Sequence, residues 1–362
     1  MKLEKAAGIE PVVAVPAKGA LSAALESCSV RFVCSPMEWW LVPHSFSAVR
    51  KLAVLLFRML RGIKSEKEFS AILKSEMPDV VHINSSAIFT GAFSARKNKI
   101  PVVWHVREFH SANSGFTFAN WMICKHVMKR CSAEVITTSE ALLSEIRTYL
   151  PNMPVSVVYD AVSLPDGKSA SHLILSKRSI GIAIIGNIVE PKGQMDIVDG
   201  VALLAEKGVS CRAFLVGPVG SLSYKNKIIE RAKSWGVNDS IVFTGPVDDV
   251  YSFLASIDIV VVSSRSESFG RATIEAMLSG CLVVGNSNTA TKELVDRGHG
   301  LLYSSDNPGE LGEALLYASA NREDMRRLAA RARCYALSLS DAKFFFDSIF
   351  AVFERAYKRS NL

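Results

Sequence analysis

No two cysteines in this 362-residue chain stand in a C-x-x-C pair, and none of the seven falls in a metal-ligand spacing. A zinc module or a dithiol redox centre is therefore not expected. Cys28, Cys34, Cys124, Cys131, Cys211, Cys281 and Cys334 read instead as reduced core residues of a cytoplasmic protein. No window of 18 apolar residues occurs, and no basic stretch, apolar segment and cleavage site open the chain, so neither membrane spanning nor secretion is expected. G-x4-G-K-[ST] and G-x-G-x-x-G are both absent, which removes the phosphate loop of nucleoside triphosphatases and the dinucleotide fingerprint. Acid is short only in the first half. Residues 1–170 hold 20 basic and 14 acidic side chains, residues 171–362 hold 22 and 21, so the anion that meets the net charge of +7 meets the first half.

What is present is globular: 49% hydrophobic and 21% charged residues over a length more than twice that of a typical domain. From residue 180 onward, apolar runs at 181–186, 213–217, 241–245, 257–262 and 281–285 alternate with segments of helical length. Their β-branched content suits buried parallel strands, which predicts a doubly wound α/β domain. The first half repeats the rhythm at 11–15, 30–33, 79–83, 101–106, 133–138 and 155–159. The expected organisation is an N-terminal Rossmann-like domain over 1–163, a linker over 164–178 and a second Rossmann-like domain over 179–340. A terminal amphipathic helix over 341–362 is expected to bury its apolar face on a neighbour. The opening departs from the pattern, because residues 1–8 read as the tail of a helix leading into the strand at 11–15. The first strand of the N-terminal domain is therefore expected to be missing. Ligands of such sheets bind beyond the carboxyl ends of the strands, and with two facing domains in the cleft between them.

The most informative segment is 263–280, reading SSRSESFGRATIEAMLSG directly after the apolar run 257–262. It turns at Phe269 and Gly270 and continues as a helix that Gly280 stops. Glu267 precedes this helix and Glu275 lies inside it, an offset of about 7 to 10 Å along the axis, so the two carboxylates suit two ends of an extended ligand. The helix N-terminus between them offers free N–H groups and about half a positive charge to an anion or to sugar oxygens.

This stretch resembles the E-x7-E signature of retaining GT-B glycosyltransferases of group 1 (family 4), and the resemblance is dense from residue 182 to about 318. It implies a nucleotide-diphosphate sugar as donor, no cofactor and no metal. By resemblance Glu275 holds the nucleotide ribose and Glu267 the transferred sugar, while Phe269 and Gly270, with Ser268 beside them, lie where backbone amides approach the donor. A second match is GNIVEPKGQ at 186–194, where the family sets a basic pair on the donor diphosphate after Gly186. Lys192 fits that role; Asn187 stands where Arg is usual. Arg265 and Arg271 flank the anion-binding turn and are the candidates to supply the missing charge. In the first half, PVVWHVRE at 101–108 follows the strand whose end carries a catalytic histidine in many members. The simplest alignment puts Arg107 there, with His105 two residues earlier. His82, His105 and His110 are equally readable as structural histidines, and Asp248–Asp249 reads as a helix start rather than a metal-binding pair.

The resemblance implies transfer of a hexose-type sugar to a glycan or lipid-linked acceptor with retention of configuration, in cell-surface polysaccharide or lipopolysaccharide biosynthesis. Lys192 and the helix after Gly270 would stabilise the departing diphosphate. The same residues admit a truncated or degenerate, non-catalytic member that binds a sugar nucleotide or a partner enzyme. Arg50, Lys51, Arg58, Arg61, Lys64 and Lys67 interleave with apolar residues across 47–67. This segment is either a peripheral contact with an anionic membrane surface or a domain helix with a solvated face. Nucleic acid is not an expected partner, since the aromatics do not alternate with the basic residues as a stacking platform requires.

Overall fold

Runs of β-branched and apolar residues form parallel strands throughout the computed structural model, which describes residues 8–110, 116–164, 179–288, 290–307 and 309–360. Two compact units divide it, Met1–Tyr159 with Ala342–Leu362, and Asp160–Asp341. The expected linker lies almost wholly outside the described residues.

The first unit runs β1 (Val12–Val15), α1 (Ala20–Ser27), β2 (Arg31–Cys34), β3 (Leu41–Pro43), α2 (Ala48–Glu76), β4 (Val81–Asn84), α3 (Ala92–Lys97) and β5 (Val102–Val106). It continues with β6 (Phe116–Phe118), α4 (Trp121–Cys131), β7 (Ser132–Thr137), α5 (Glu140–Tyr149) and β8 (Val155–Val157). Strands β4, β5, β7 and β8 form one parallel sheet in that order, and β1 pairs in parallel with β2 in another. No ladder joins the two sheets among the described residues. The antiparallel pair β3 and β6 was not among the expected strands.

Aromatic packing organises this core. The indole of Trp40 stacks on that of Trp104, ring centroids 5.5 Å apart, with Phe89 and Phe118 against it. Both indole N–H groups donate to backbone carbonyls, Trp40 to Ser86 and Trp104 to Ser85, so no donor is stranded by burial. Beside them Ser86 Oγ lies 2.7 Å from both Glu108 Oε2 and His110 Nε2. Ser86 is wholly buried, so this Ser, His and Glu arrangement is a core network without an opening for a substrate, in which His110 Nδ1 makes no hydrogen bond and lies 3.4 Å from Glu145 Oε1.

The second unit holds β9 (Ile180–Ile185), α6 (Gln194–Glu206), β10 (Cys211–Val216), α7 (Leu222–Ser234), β11 (Ile241–Gly245), α8 (Val250–Leu254), β12 (Ile259–Val262) and α9 (Arg271–Leu278). After them come β13 (Leu282–Asn286), α10 (Ala290–Val295), β14 (Leu301–Tyr303), α11 (Gly309–Ala320) and α12 (Arg322–Leu339). Its six strands are all parallel in the order β11-β10-β9-β12-β13-β14. The chain winds outward from β9 in one direction, then resumes at β12 on the other side. The carboxyl ends of β9 and β12 are therefore the topological switch point, where open α/β sheets bind ligands.

The last helix, α13 (Ala342–Ser360), belongs to the first unit. Val352 and Ala356 join Val103, Ile136 and Val158 in one core cluster, with Phe345, Ile349 and Phe353 packed on it. The buried Glu134 carboxylate of β7 anchors the helix, receiving Arg355 at 2.7 Å, Arg359 at 3.1 Å and Ser156 Oγ at 2.8 Å. Of the seven cysteines, Cys124, Cys131, Cys211 and Cys281 are buried as expected. Cys28, Cys34 and Cys334 are instead exposed, the first at the end of α1, the second at the end of β2 and the third on the outer side of α12.

Candidate active site

The residues after β9 leave the sheet at Gly186, make one tight helical turn over Glu190–Lys192, and enter α6 through Gly193 in the left-handed region at φ 66°. A Cβ on Gly193 would stand 2.5 Å from the Ser263 carbonyl, so only glycine lets this loop reach the end of β12. Contact there is direct: Ser263 Oγ donates to the Lys192 carbonyl at 2.8 Å, and Arg265 N donates to the Pro191 carbonyl at 2.9 Å. The two loops meet across the switch point.

That contact places Lys192 Nζ 2.8 Å from Glu267 Oε2, with side chains 35% and 20% exposed. Residues 75 positions apart thus present one cation and one anion at a single strand edge. Beyond Glu267 the chain turns at Gly270, φ 92°, into α9. Glu275 is the fifth residue of that helix and pairs with Arg271 Nη2 at 3.4 Å. Burial raises the Glu275 pKa above the ordinary carboxylate value, with Arg271 opposing the shift. Phe269 is buried and leaves only its backbone for a ligand, while Ser268 is half-buried.

Of the two arginines expected to replace the absent cation, neither stands at Asn187. Arg265 Nη2 lies 3.3 Å from Asp196, a buried carboxylate that also accepts from Tyr303 at 3.1 Å. Burial raises the Asp196 pKa, opposed by Arg265 and Tyr303. Arg271 is engaged with Glu275. Asn187 is exposed, and its carbonyl accepts from Gln194 Nε2 at 2.8 Å. Asp196 and Tyr303 had not been singled out from sequence. Asp196 sits two residues after Gln194 in α6, and nothing in its local pattern distinguishes it from a solvated helix acid.

Arg107 and His105 belong to the first unit. Arg107 follows β5, flanked by β4 and β7 in its sheet, and is half-buried with its N–H on Glu108 Oε2. His105 is 1% exposed and its Nδ1 lies 3.3 Å from His82 Nε2, so its side chain is a core element rather than a group presented at the strand end. Burial, then His82 and Arg107, push its pKa down to about 2, which keeps the ring neutral at any physiological pH. Asp249 caps α8 by accepting from Ser252 N at 3.0 Å. Among the described residues no group of three or more His, Cys, Asp or Glu side chains could hold a metal ion, and no helix is long and apolar enough to cross a membrane.

A parallel α/β unit with a Lys and two Glu side chains at its switch point, following a first unit of Rossmann-like strands, defines a GT-B architecture. Comparisons with known proteins agree. Residues 4–160 match the glycosyl transferase 4-like domain and residues 179–321 match the glycosyl transferases group 1 model. The chain belongs to the group 1 glycosyltransferases of GT-B fold. A D-inositol 3-phosphate glycosyltransferase of Nocardia farcinica is 31% identical over 169 residues, 44% of this chain and 37% of that one. The lipopolysaccharide core biosynthesis mannosyltransferase LpsB of Rhizobium meliloti is 29% identical over 170 residues, 46% of this chain and 47% of that one. The matches therefore span less than half of each of these relatives. Among solved structures, Anabaena Alr3699/HepE in complex with UDP and glucose superposes with a TM-score of 0.73, covering 98% of this chain and 94% of that one at 19% identity.

Proposed function

We propose that this chain transfers a hexose-type sugar from a nucleotide-diphosphate sugar to a glycan or lipid-linked acceptor, with retention at the anomeric carbon and no metal ion. The observation that carries the reading is the Lys192–Glu267 pair at the switch point, next to the N-terminus of α9. Lys192 exchanges Glu267 for the donor diphosphate and stabilises its charge as the sugar departs. The free N–H groups at the start of α9 share that charge. Glu267, released from Lys192, receives the hydroxyls of the transferred sugar, and Glu275 receives the ribose. The pair does not suit glycosidase chemistry, because both carboxylates belong to one loop and helix instead of facing each other across an anomeric centre. Complexes of HepE with UDP and with UDP-glucose support a nucleotide-sugar donor. The LpsB likeness supports a place in cell-surface polysaccharide or lipopolysaccharide assembly.

The test is a donor panel of UDP- and GDP-sugars with calorimetry of the free nucleoside diphosphates. The expected result is binding of one diphosphate by the wild type and its loss in Glu275→Ala, since truncating a ribose ligand deprives ground and transition states alike. Glu267→Ala is expected to retain binding and slow transfer. Unchanged diphosphate affinity in Glu275→Ala would overturn the assignment.

A further inference from the structure

Helices α6 and α7 pack against each other in the second unit and leave a shallow groove along their outer side. Met195 and Asp199 of α6 and Lys227, Glu230, Arg231 and Ser234 of α7 line it. The α7 residues recur every three or four positions, which sets them on one face of the helix. Directly after α7 comes Trp235. Gly236, in the left-handed region at φ 68°, turns the chain away behind it, and the indole is 54% exposed.

This exposed ring is fixed in place. Its Nε1–H donates to Asp199 Oδ1 at 3.0 Å, the same oxygen receives Arg231 Nε at 2.8 Å, and the Arg231 guanidinium carbon stands over the ring, 5.3 Å from its centroid. The side chain has thus given up its rotamer freedom without being buried, which is the condition of a surface organised ahead of binding. With Arg231 over the ring on one side, the exposed area belongs to the other face and the outer edge. Polar groups beside it are unspent. Asp199 bonds only through Oδ1, so Oδ2 carries no hydrogen bond, and Lys227 and Glu230 have neither a hydrogen bond nor an ion pair among the described residues. The cations Lys227 and Arg231 are matched by the carboxylates Asp199 and Glu230, so the groove is neutral overall.

We infer that this groove binds a neutral glycan chain, with one pyranose ring stacked on Trp235 and the hydroxyls of that ring and its neighbour on Asp199, Glu230 and Lys227. The chemistry selects the class of ligand. A pyranose presents a face of C–H groups that suits the electron-rich face of an indole, and each hydroxyl both donates and accepts, so it serves a carboxylate and an ammonium alike. A polyanion such as a nucleic acid would lose against Asp199 and Glu230 what it gains from Lys227 and Arg231. The groove lies on the helical layer, whereas Lys192 and Glu267 meet at the strand ends, so the two sites are distinct. The inference does not rest on the transfer reaction.

The experiment is titration calorimetry of the full chain, free of nucleotide, with maltohexaose and with mannohexaose as neutral probes. Binding of at least one of them is expected. Trp235→Ala should weaken that binding roughly tenfold or more, and Trp235→Phe, which keeps a ring without the tether to Asp199, should fall between it and the wild type. Glu230→Gln should weaken it about threefold, as one charge-assisted hydrogen bond becomes a neutral one. Because Glu230 touches no other side chain in the structure, this variant reads the groove even where Trp235→Ala loosens the helix end. Lys192→Ala should bind the probe like the wild type. No binding of either probe, or wild-type affinity in Trp235→Ala, would overturn the inference. So would loss of binding in Lys192→Ala, which would place the sugar at the switch point, or a dimer that Trp235→Ala dissolves, which would give the indole to a second copy.

Discussion

On the proposed assignment, in which Glu267 competes with the donor for Lys192 and also contacts the transferred sugar, replacing Glu267 by Gln should change donor binding and sugar transfer in opposite directions. The carboxylate lies 2.8 Å from Lys192 Nζ. In an effective dielectric of about 20 that separation corresponds to roughly 6 kcal/mol of Coulomb attraction. With the side chains 35% and 20% exposed, water screens most of it, and the net pairing is about 1 kcal/mol. A diphosphate must displace this interaction before it gains Lys192. Glu267→Gln removes the competing charge while keeping the shape, so affinity for the free nucleoside diphosphate should rise about fivefold. The transferred sugar meanwhile loses a charged acceptor for its hydroxyls, so kcat should fall tenfold or more. Lys192→Ala should instead weaken diphosphate binding at least tenfold, and the double variant should bind no better than Lys192→Ala. Titration calorimetry with UDP and GDP, alongside steady-state transfer, reads all three. Weaker diphosphate binding in Glu267→Gln than in the wild type would show that the ion pair preorganises the site rather than occupying it, and the exchange step would be wrong.

Three further outcomes follow from the buried charges. Burial raises the Glu275 pKa above 4.5, so the folded chain holds its proton to higher pH than the unfolded chain does and stability falls as pH rises through that window. Glu275→Gln should therefore melt above the wild type at pH 7 and lose that advantage at pH 4, as scanning calorimetry would show. His105 has the opposite sign: its pKa falls from 6.5 to about 2, so the unfolded chain takes the proton first and stability is lost as pH drops below about 6.5. His105→Leu should flatten the dependence of denaturant midpoint on pH between 6.5 and 4. Finally, Arg355→Met with Arg359→Met strands the 2%-exposed Glu134 carboxylate and should cost about 3 kcal/mol by urea unfolding, discounted from a fully buried pair because both arginines are nearly half exposed. Restoring neutrality with Glu134→Gln should recover most of that loss.

The β-strands that sequence showed clearly were those buried on both faces. Runs at 181–186, 257–262 and 281–285 became β9, β12 and β13 to within two residues, because a central parallel strand needs an unbroken apolar stretch. Strands β3, β6 and β14 were missed. Each is three residues long, too short for periodicity to register, and each is defined by its partner strand rather than by its own composition. Glu267, Gly270 and Glu275 were legible for the complementary reason, since a strand end, a glycine turn and a helix start fall within one continuous segment. The Lys192–Glu267 contact spans 75 positions and the anchoring of Glu134 by Arg355 spans 221, and neither separation leaves a local trace. His105 was ambiguous because strand alternation alone does not say which face a later helix covers; α13, distant in sequence, is what closes over that side of the sheet.

The ionisable groups near the switch point are costly to the fold. Asp196 and Glu275 both carry pKa values raised by burial, and each is only partly offset by an arginine at 3.3 to 3.4 Å. Apolar residues of similar volume would stabilise the unit more, as replacements of buried ion pairs generally do. Elsewhere in the same sheet that is what occurs: β12 is Ile-Val-Val-Val, buried at every position, and the charges begin only once the strand has ended. The cores stay apolar, and the carboxylates raised by burial gather beyond the ends of β9 and β12, the edge at which open α/β sheets bind ligands. The Arg265–Asp196–Tyr303 set then has a definite place in this arrangement. It holds the residue that follows Ser263 and Ser264, and through the Arg265 N–H to Pro191 contact it fixes the distance between the Lys192 turn and the Glu267 loop. Asp196→Asn should accordingly leave the fold intact and loosen the spacing of Lys192 and Glu267, appearing as a lower kcat with little change in diphosphate affinity.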